Sequence, residues 1–372
     1  MTVFDRRPRL RWLVPLLAVL MLGTAGSVVA ALSASARDSL PPRSAAQLLV
    51  DVQKARLEGL SGTVVQTAAL GLPELPGPAG DSSSSFTSLV SGSHTLRLWY
   101  AGPEQARVAL LGQLGESDAI RNGSDVWLWS SHDNSATHFT IPAKDRDAAD
   151  AQASAADAAL TPQKAADLAL KAITPTTTVT TDPTAVVAGR AAYQLVLEPR
   201  DPSTLIGSVK IAIDGNTHIP LRVQVYAQGS AEPAFEVGFT SFNPTTPEAS
   251  TFNFNPPPDA TVSEGLGDSA SGDLAAEKSD GAAGTKPTVV GDGWTSVVRA
   301  TIPASSGGST DSGSSPFGSL DSLTQSLPAV SGAWGSGHLL RGTLFSVLIT
   351  DDGQVVAGAV APDLLYNALE AQ

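Results

Sequence analysis

Residues 97–111 read RLWYAGPEQARVALL. Two runs of aromatic, aliphatic and β-branched residues are joined by Ala-Gly-Pro-Glu, a turn-forming tetrapeptide. No crossover helix fits into so short a gap, so the runs pair antiparallel. No catalytic group stands between them. The stretch predicts a broad apolar sheet with little chemistry on it, and the question it raises is what such a sheet is for.

The pattern continues on both sides. Short extended runs follow at hairpin spacing up to Ile141, SDAIRN, SDVWLWSS and ATHFTI, with Asn122-Gly123 and Asp133-Asn134 as turn pairs. Upstream, Ser44 to Leu60 places Ala45, Leu48, Leu49, Val52 and Leu57 near a helical period, which predicts an amphipathic first helix closed by Gly59. Ser61 to Ala69 turns β-branched, and LGLPELPGPAGDSSSS then reads as a mobile loop. Residues 144–172 are Ala-rich, with Thr161-Pro162 as a helix start before QKAADLALKAI. A second strand set follows, AYQLVLEP, SVKIAID, LRVQVYAQ and AFEVGFTSF, with Asp214-Gly215-Asn216 as its tightest turn.

Composition divides the remainder. Ser263 to Lys286 and Ala304 to Ser319 are rich in Gly, Ser, Ala and Asp and read as disordered linkers. Beyond them, GWTSVVRATIP and then LLRGTLFSVLIT, DDG and QVVAGAV predict a hairpin, followed by the short helix PDLLYNALEA. The expected organisation is therefore an export segment over 1–36, a main domain over 37–262, a linker over 263–288 and a C-terminal unit over 289–372 with an internal linker over 304–319.

The chain has 372 residues, enough for more than one core, and no cysteine, which removes disulfides, thiolate metal sites, a cysteine nucleophile and lipidation at cysteine. Arg6, Arg7, Arg9 and Arg11 precede an uncharged apolar run from Trp12 to Leu32, and Ala34-Ser35-Ala36 has the small residues signal peptidase needs. The run is also long enough to span a bilayer, so cleavage before Arg37 and retention as an anchor compete. Both place the bulk of the chain outside the cytoplasm, secreted or held at the outer face of the cytoplasmic membrane. Removing residues 1–36 takes away four arginines and one aspartate and moves the net charge from −13 to −16, which argues against nucleic acid as a partner.

Catalytic and metal signatures are sparse. The five histidines never pair at i, i+2 or i, i+4; His132 and His138 flank one turn and are expected to be exposed loop residues. Asp351-Asp352-Gly353 lacks the oxygen series of a calcium loop and reads as a hairpin turn. Gly335-Ser336-Gly337 has Leu340 where a dinucleotide fingerprint needs its third glycine. Gly267 to Ser271 lacks the last glycine of a nucleophile elbow. No enzyme, metal or cofactor is predicted.

Tryptophans say more. Period two puts Trp127 and Trp129 on one face of their strand and Val126 and Leu128 on the other. Packing against helices accounts for a tryptophan cluster, and so does an apolar surface that receives a ligand. The expected binding face is that of Trp127, Trp129 and the nearby Trp99. Leu98, Val108 and Leu110 are further candidates from the first strand set. Leu195, Leu197, Val223, Val225, Val237 and Phe239 are candidates from the second.

The order of elements, SGTVVQT, LWYAGPEQARVAL, NGSDVWLWSSHDNSATHF, VAGRAAYQLVLEP, IAIDGNTHIPLRVQV and FNFNPPPDATV, resembles the LolA/LolB-like superfamily, with its RseB/MucB-type regulators and, in its actinobacterial type, lipid-carrying lipoproteins. The resemblance covers about residues 42–262. It implies an α+β fold, a strongly curved antiparallel sheet forming a half-open barrel with a helical lid, whose cavity holds acyl chains. It implies a non-enzymatic, monomeric binder of a lipid or acylated ligand, acting as a carrier. The C-terminal unit is similar to the second domain of RseB-type proteins, which implies the alternative of a sensor that binds a membrane protein of anti-sigma type. Two departures stand out: Gly102 precedes Pro103 where the lipoprotein carriers have an arginine, and there is no cysteine to lipidate.

Overall fold

A computed structural model describes residues 40–72, 86–142, 162–265, 287–301, 324 and 326–370. The expected export segment, the Pro/Gly/Ser loop from residue 73 and most of both linkers lie outside them. Among the described residues no helix is long and apolar enough to cross a membrane.

The first helix, α1 (Ala45–Lys54), starts where the sequence predicts. Ser44 accepts from the Gln47 backbone N–H at 3.3 Å while the Gln47 side chain accepts from the Ser44 N–H at 2.8 Å, a reciprocal cap. Its end differs from expectation. Ala55 turns extended at φ −55°, ψ 126°, and Gly59 lies in the segment beyond. A Cβ on Gly59 would stand 2.4 Å from Thr246 Cα, so glycine serves a close approach of backbones there and not a helix cap.

Strands β1 (Leu60–Ala68), β2 (Gly92–Tyr100), β3 (Gln105–Leu111), β4 (Glu116–Asn122), β5 (Asp125–Ser130) and β6 (Ser135–Thr140) follow as hairpin-connected neighbours. After α2 (Pro162–Ile173) come β7 (Thr177–Val187), β8 (Arg190–Pro199), β9 (Ile206–Asp214), β10 (Pro220–Ala227) and β11 (Pro233–Asn243). All join one twelve-stranded sheet in the order β12-β6-β5-β4-β3-β2-β1-β11-β10-β9-β8-β7, where β12 (Thr261–Glu264) pairs parallel to β6. Sequence reading set Ser263 and Glu264 in a linker; instead they complete this ladder. The sheet stays open, since its end strands β12 and β7 do not pair, but it curls enough for β7 to approach β11. The sequence also hid β7, whose Pro183 argues against a strand; the proline is tolerated because β7 is an edge and its register slips between Asp182 and Ala185.

A second sheet of six strands has the order β13-β14-β18-β17-β16-β15. Its strands are β13 (Thr288–Val290), β14 (Val297–Thr301), β15 (Ala329–Gly332), β16 (Gly335–Arg341), β17 (Ser346–Thr350) and β18 (Gln354–Gly358). Helix α3 (Pro362–Glu370) packs on it, with Leu365 and Leu369 joining Val297, Leu339, Leu348 and Val356 in one core. The expected hairpin arm LLRGTLFSVLIT is in fact two strands, β16 and β17, separated by Gly342–Phe345. Asp351-Asp352-Gly353 forms the turn between β17 and β18, with Asp352 accepting from the Thr350 hydroxyl and the Gln354 amide.

The two sheets are tied together. Leu205 N–H donates to Ala359 O at 2.8 Å, Thr204 hydroxyl donates to the same oxygen at 2.7 Å, and Trp294 Nε1 donates to Thr177 Oγ1 at 2.8 Å.

Candidate ligand-binding face

Directly paired residues on neighbouring strands share a face, so the register follows each face across the large sheet. One face runs Leu195, Ile211, Val223, Val237 and Gln66 from β8 to β1. A parallel row runs from Phe239 and Val64 through Leu96 to Leu110. Leu98 and Val108 pair beside it, as do Leu197, Val209 and Val225 at the other end. Call this the helix face, since Leu48 of α1 packs there on Tyr193, Leu195 and Ile213.

The opposite face carries Trp99, Arg107, Ile120, Trp127 and His138 in one row, with Trp129 in the next. The expected binding residues are therefore split by the sheet itself. Trp99, Trp127 and Trp129 share one side, and Leu98, Val108, Leu110, Leu195, Leu197, Val223, Val225, Val237 and Phe239 share the other. Alternation within each strand is visible in sequence; which strand's odd positions match its neighbour's is not, because turn lengths and bulges set it.

The tryptophan face is partly covered by the chain's own residues, and Trp99, Trp127 and Trp129 are half-buried. Phe254, beyond β11, lies 5.4 Å from the Trp127 ring and 5.9 Å from the Trp129 ring, centroid to centroid. Phe252 in the same segment is buried. Arg107 stacks over Trp99 at 5.5 Å and pairs side-on with the buried Asp118, Nε to Oδ1 at 2.9 Å and Nη2 to Oδ2 at 3.1 Å.

His138 is the residue that sequence reasoning most misjudged. Its side chain is 17% exposed and sits on β6, stacked on Trp127 at 4.3 Å between ring centroids. Nε2 lies 2.9 Å from Asp125 Oδ1 and Nδ1 lies 3.0 Å from Glu264 Oε2. A neutral imidazole has one N–H, so satisfying both carboxylates requires the doubly protonated ring. Burial works against that charge, but the hydrogen bonds that the ring donates to Asp125 and Glu264 outweigh it and raise the His138 pKa above the ordinary value. No spacing rule flags this site because Glu264 arrives through a parallel pairing 126 residues away. Among the described residues no group of three His, Cys, Asp or Glu is placed to hold a metal ion.

The helix face is covered unevenly. Over β7 to β9 it carries α1. Over β9, β10, β11 and β1 it carries Leu344, which packs with Val64, Ala68, Val223, Phe235 and Val237, while Phe345 packs against the same cluster. Thus the Gly342–Phe345 loop of the second sheet reaches into the first. Thr343 anchors it, its N–H donating to Leu70 O at 2.6 Å and its hydroxyl to Ala69 O at 3.1 Å. Burying Leu344 contributes roughly 1.5–3 kcal/mol. Over β2 to β6 the face is more open: Leu98, Val108, Ala119 and Val126 are half-buried and Leu128 is exposed.

No protein-family model matches the chain, and no curated protein matches it. Solved structures do. The Pseudomonas aeruginosa MucA/MucB complex is similar at 15% identity and a TM-score of 0.42, over 87% of this chain and 96% of that one. A LolA superfamily protein from Nitrosomonas europaea is similar at 11% identity and a TM-score of 0.21, over 57% of this chain and 99% of that one. A putative outer membrane lipoprotein-sorting protein domain from Vibrio parahaemolyticus is similar at 8% identity and a TM-score of 0.21, over 56% and 97%.

A cleft of about 470 Å³ opens between the sheets, lined by Thr176, Arg200, Asp201, Asp292, Trp294 and Thr295. Pro175 completes its lining, which mixes charged, hydroxyl and apolar groups and includes none of the strip residues of the helix face.

Proposed function

We propose that this chain is an exported, non-enzymatic protein that holds the apolar part of a lipid or acylated ligand on the helix face. One observation carries the reading: apolar residues of neighbouring strands follow one another across this face in two adjacent rows from Leu195 to Leu110, and Leu344 and Phe345 of the second sheet pack on its centre. Each methylene removed from water gains about 0.8 kcal/mol, so a long chain is held there without polar contacts. That accounts for a broad sheet with little chemistry. Leu98, Val108, Leu110, Val223 and Val237 line the strip in this reading, and the tryptophans support it from behind.

Native mass spectrometry of the protein purified from its own envelope tests this. Co-purifying lipid, or uptake of added palmitate, is the expected result. A ligand-free protein that takes up neither defeats the proposal.

A regulatory reading is favoured by the same loop, because it joins the second sheet to the ligand face. Here the partner is a membrane protein of anti-sigma type engaged by residues 289–372. Deleting those residues should abolish cross-linking to that partner; unchanged cross-linking speaks against this reading.

A further inference from the structure

One polar side chain interrupts the row of β1 whose Val64 and Ala68 share a cluster with Leu344. Gln66 lies on β1 between Val64 and Ala68, pairs across the sheet with Val237 and with His94, and is 2% exposed. Its amide nitrogen donates to Leu89 O at 2.6 Å. A backbone carbonyl only accepts, so that bond fixes the orientation of the amide and assigns Oε1 to the other side. Oε1 is buried and has no hydrogen-bond partner. The neighbouring His94 ring turns elsewhere, Nε2 to Ser91 O at 2.8 Å and Nδ1 to the Ser88 hydroxyl at 3.4 Å.

A buried acceptor without a donor is a standing cost to the state that contains it. The side chains of Leu344 and Phe345 are hydrocarbon and cannot relieve it. They pack on the apolar cluster of β1, β10 and β11, held in place by Thr343 through two hydrogen bonds to the segment just beyond β1.

We propose that Leu344 and Phe345 are an intramolecular stand-in for the ligand, and that the molecule which displaces them is an amphiphile bringing an N–H or O–H donor to Gln66 Oε1. The proposal rests on the apolar-ligand reading above and adds the chemical class and the exchange. Ligand entry then frees the Gly342–Phe345 loop, so occupancy of the first sheet is reported by the second. A plain hydrocarbon gains nothing at Gln66 and competes poorly with the loop; an acyl amide or a hydroxylated acyl chain supplies what the loop lacks.

The full-length chain is titrated with N-lauroylglycine and with O-lauroylglycolate, which share length and carboxylate and differ in one amide N–H against one ester oxygen. The amide is expected to bind about tenfold more tightly. Gln66→Met should bring the amide down to the level of the ester and leave the ester unchanged. Hydrogen exchange of residues 342–345 should accelerate when the amide is bound. Equal binding of the two probes by the wild-type protein overturns the donor assignment while leaving the apolar-ligand reading intact, and needs no variant to fold. Tight binding with unchanged exchange in the loop overturns the stand-in. Binding of neither probe defeats the underlying reading itself.

Discussion

Arg190 and Asp214 meet side-on, Nε to Oδ1 at 2.6 Å and Nη2 to Oδ2 at 2.9 Å, with the aspartate buried and the guanidinium 5.3 Å over the Phe242 ring. Asp214 also accepts from the Thr217 N–H at 2.7 Å and hydroxyl at 2.8 Å, so one carboxylate organises the β9–β10 turn and ties it to β8. Burial pushes its pKa up, but the hydrogen bonds from Arg190 and Thr217 outweigh burial and hold it below the ordinary carboxylate range.

A depressed carboxylate stabilises the folded protein above its unfolded pKa of about 3.9, and that stability fades as pH falls through the lower folded pKa. Urea denaturation should therefore show a loss of stability in acid. Arg190→Ala leaves the buried aspartate unpaired and should cost about 3–5 kcal/mol at neutral pH. A loss below 1 kcal/mol would show the pair to be incidental.

His138 works with the opposite sign. Its pKa is raised in the folded state, so the contribution is complete below the unfolded value of about 6.5 and is lost as pH rises through the folded one. Because Glu264 is largely exposed, salt should weaken the effect. Protection of residues 261–264, taken relative to the intrinsic exchange rate at each pH, is expected to fall at alkaline pH, and His138→Phe should make that protection independent of pH while preserving the stack on Trp127. A flat profile in the wild-type protein would count against the clasp.

The two faces can be separated by substitution. Trp129→Ala removes a half-buried ring packed on Phe254 and should lower stability by about 1–3 kcal/mol with palmitate affinity unchanged in the folded fraction. Val108→Asp, on the half-buried helix face, should instead weaken palmitate uptake at least tenfold. The reverse pattern would assign the ligand to the tryptophan side.

Leu344→Ala should cost about 2–5 kcal/mol, since it empties a site lined by Val64, Val223 and Val237. Calorimetry is expected to resolve the single unfolding transition into two, one for each sheet. A single transition, merely shifted, would mean that Thr204, Leu205 and Trp294 hold the sheets together without the loop.

Most strands of the large sheet were legible in sequence, because each alternates on its own and ends in Gly, Asn or Pro chemistry; QARVALL is strand β3 to the residue. What escaped reading was whatever depends on two distant segments. β12 is four exposed residues whose only reason to be a strand is β6. Gly342–Phe345 lies inside a stretch that pattern alone reads as one strand; it is a hairpin turn closed by the Gly342 N–H donating to Phe345 O at 2.9 Å, and its Leu344 and Phe345 pack on the first sheet. The candidate face was half legible for the same reason: the alternation within each strand could be read, but the side each strand's residues occupy depends on bulges such as the one at Thr63/Val64.

Pro183 interrupts β7 at a slip in its register, where Asp182 Oδ1 accepts from the Thr184 N–H at 2.9 Å and from its hydroxyl at 2.6 Å. An open sheet of this width offers a long unpaired backbone at its ends, the usual template for one copy to add onto the next. Here one end carries a proline without an N–H and a local turn that spends its neighbours' donors, and the other ends in the four-residue β12. Such blunted margins leave a broad open sheet little backbone on which a second copy could add a strand, a protection that barrel closure would otherwise supply.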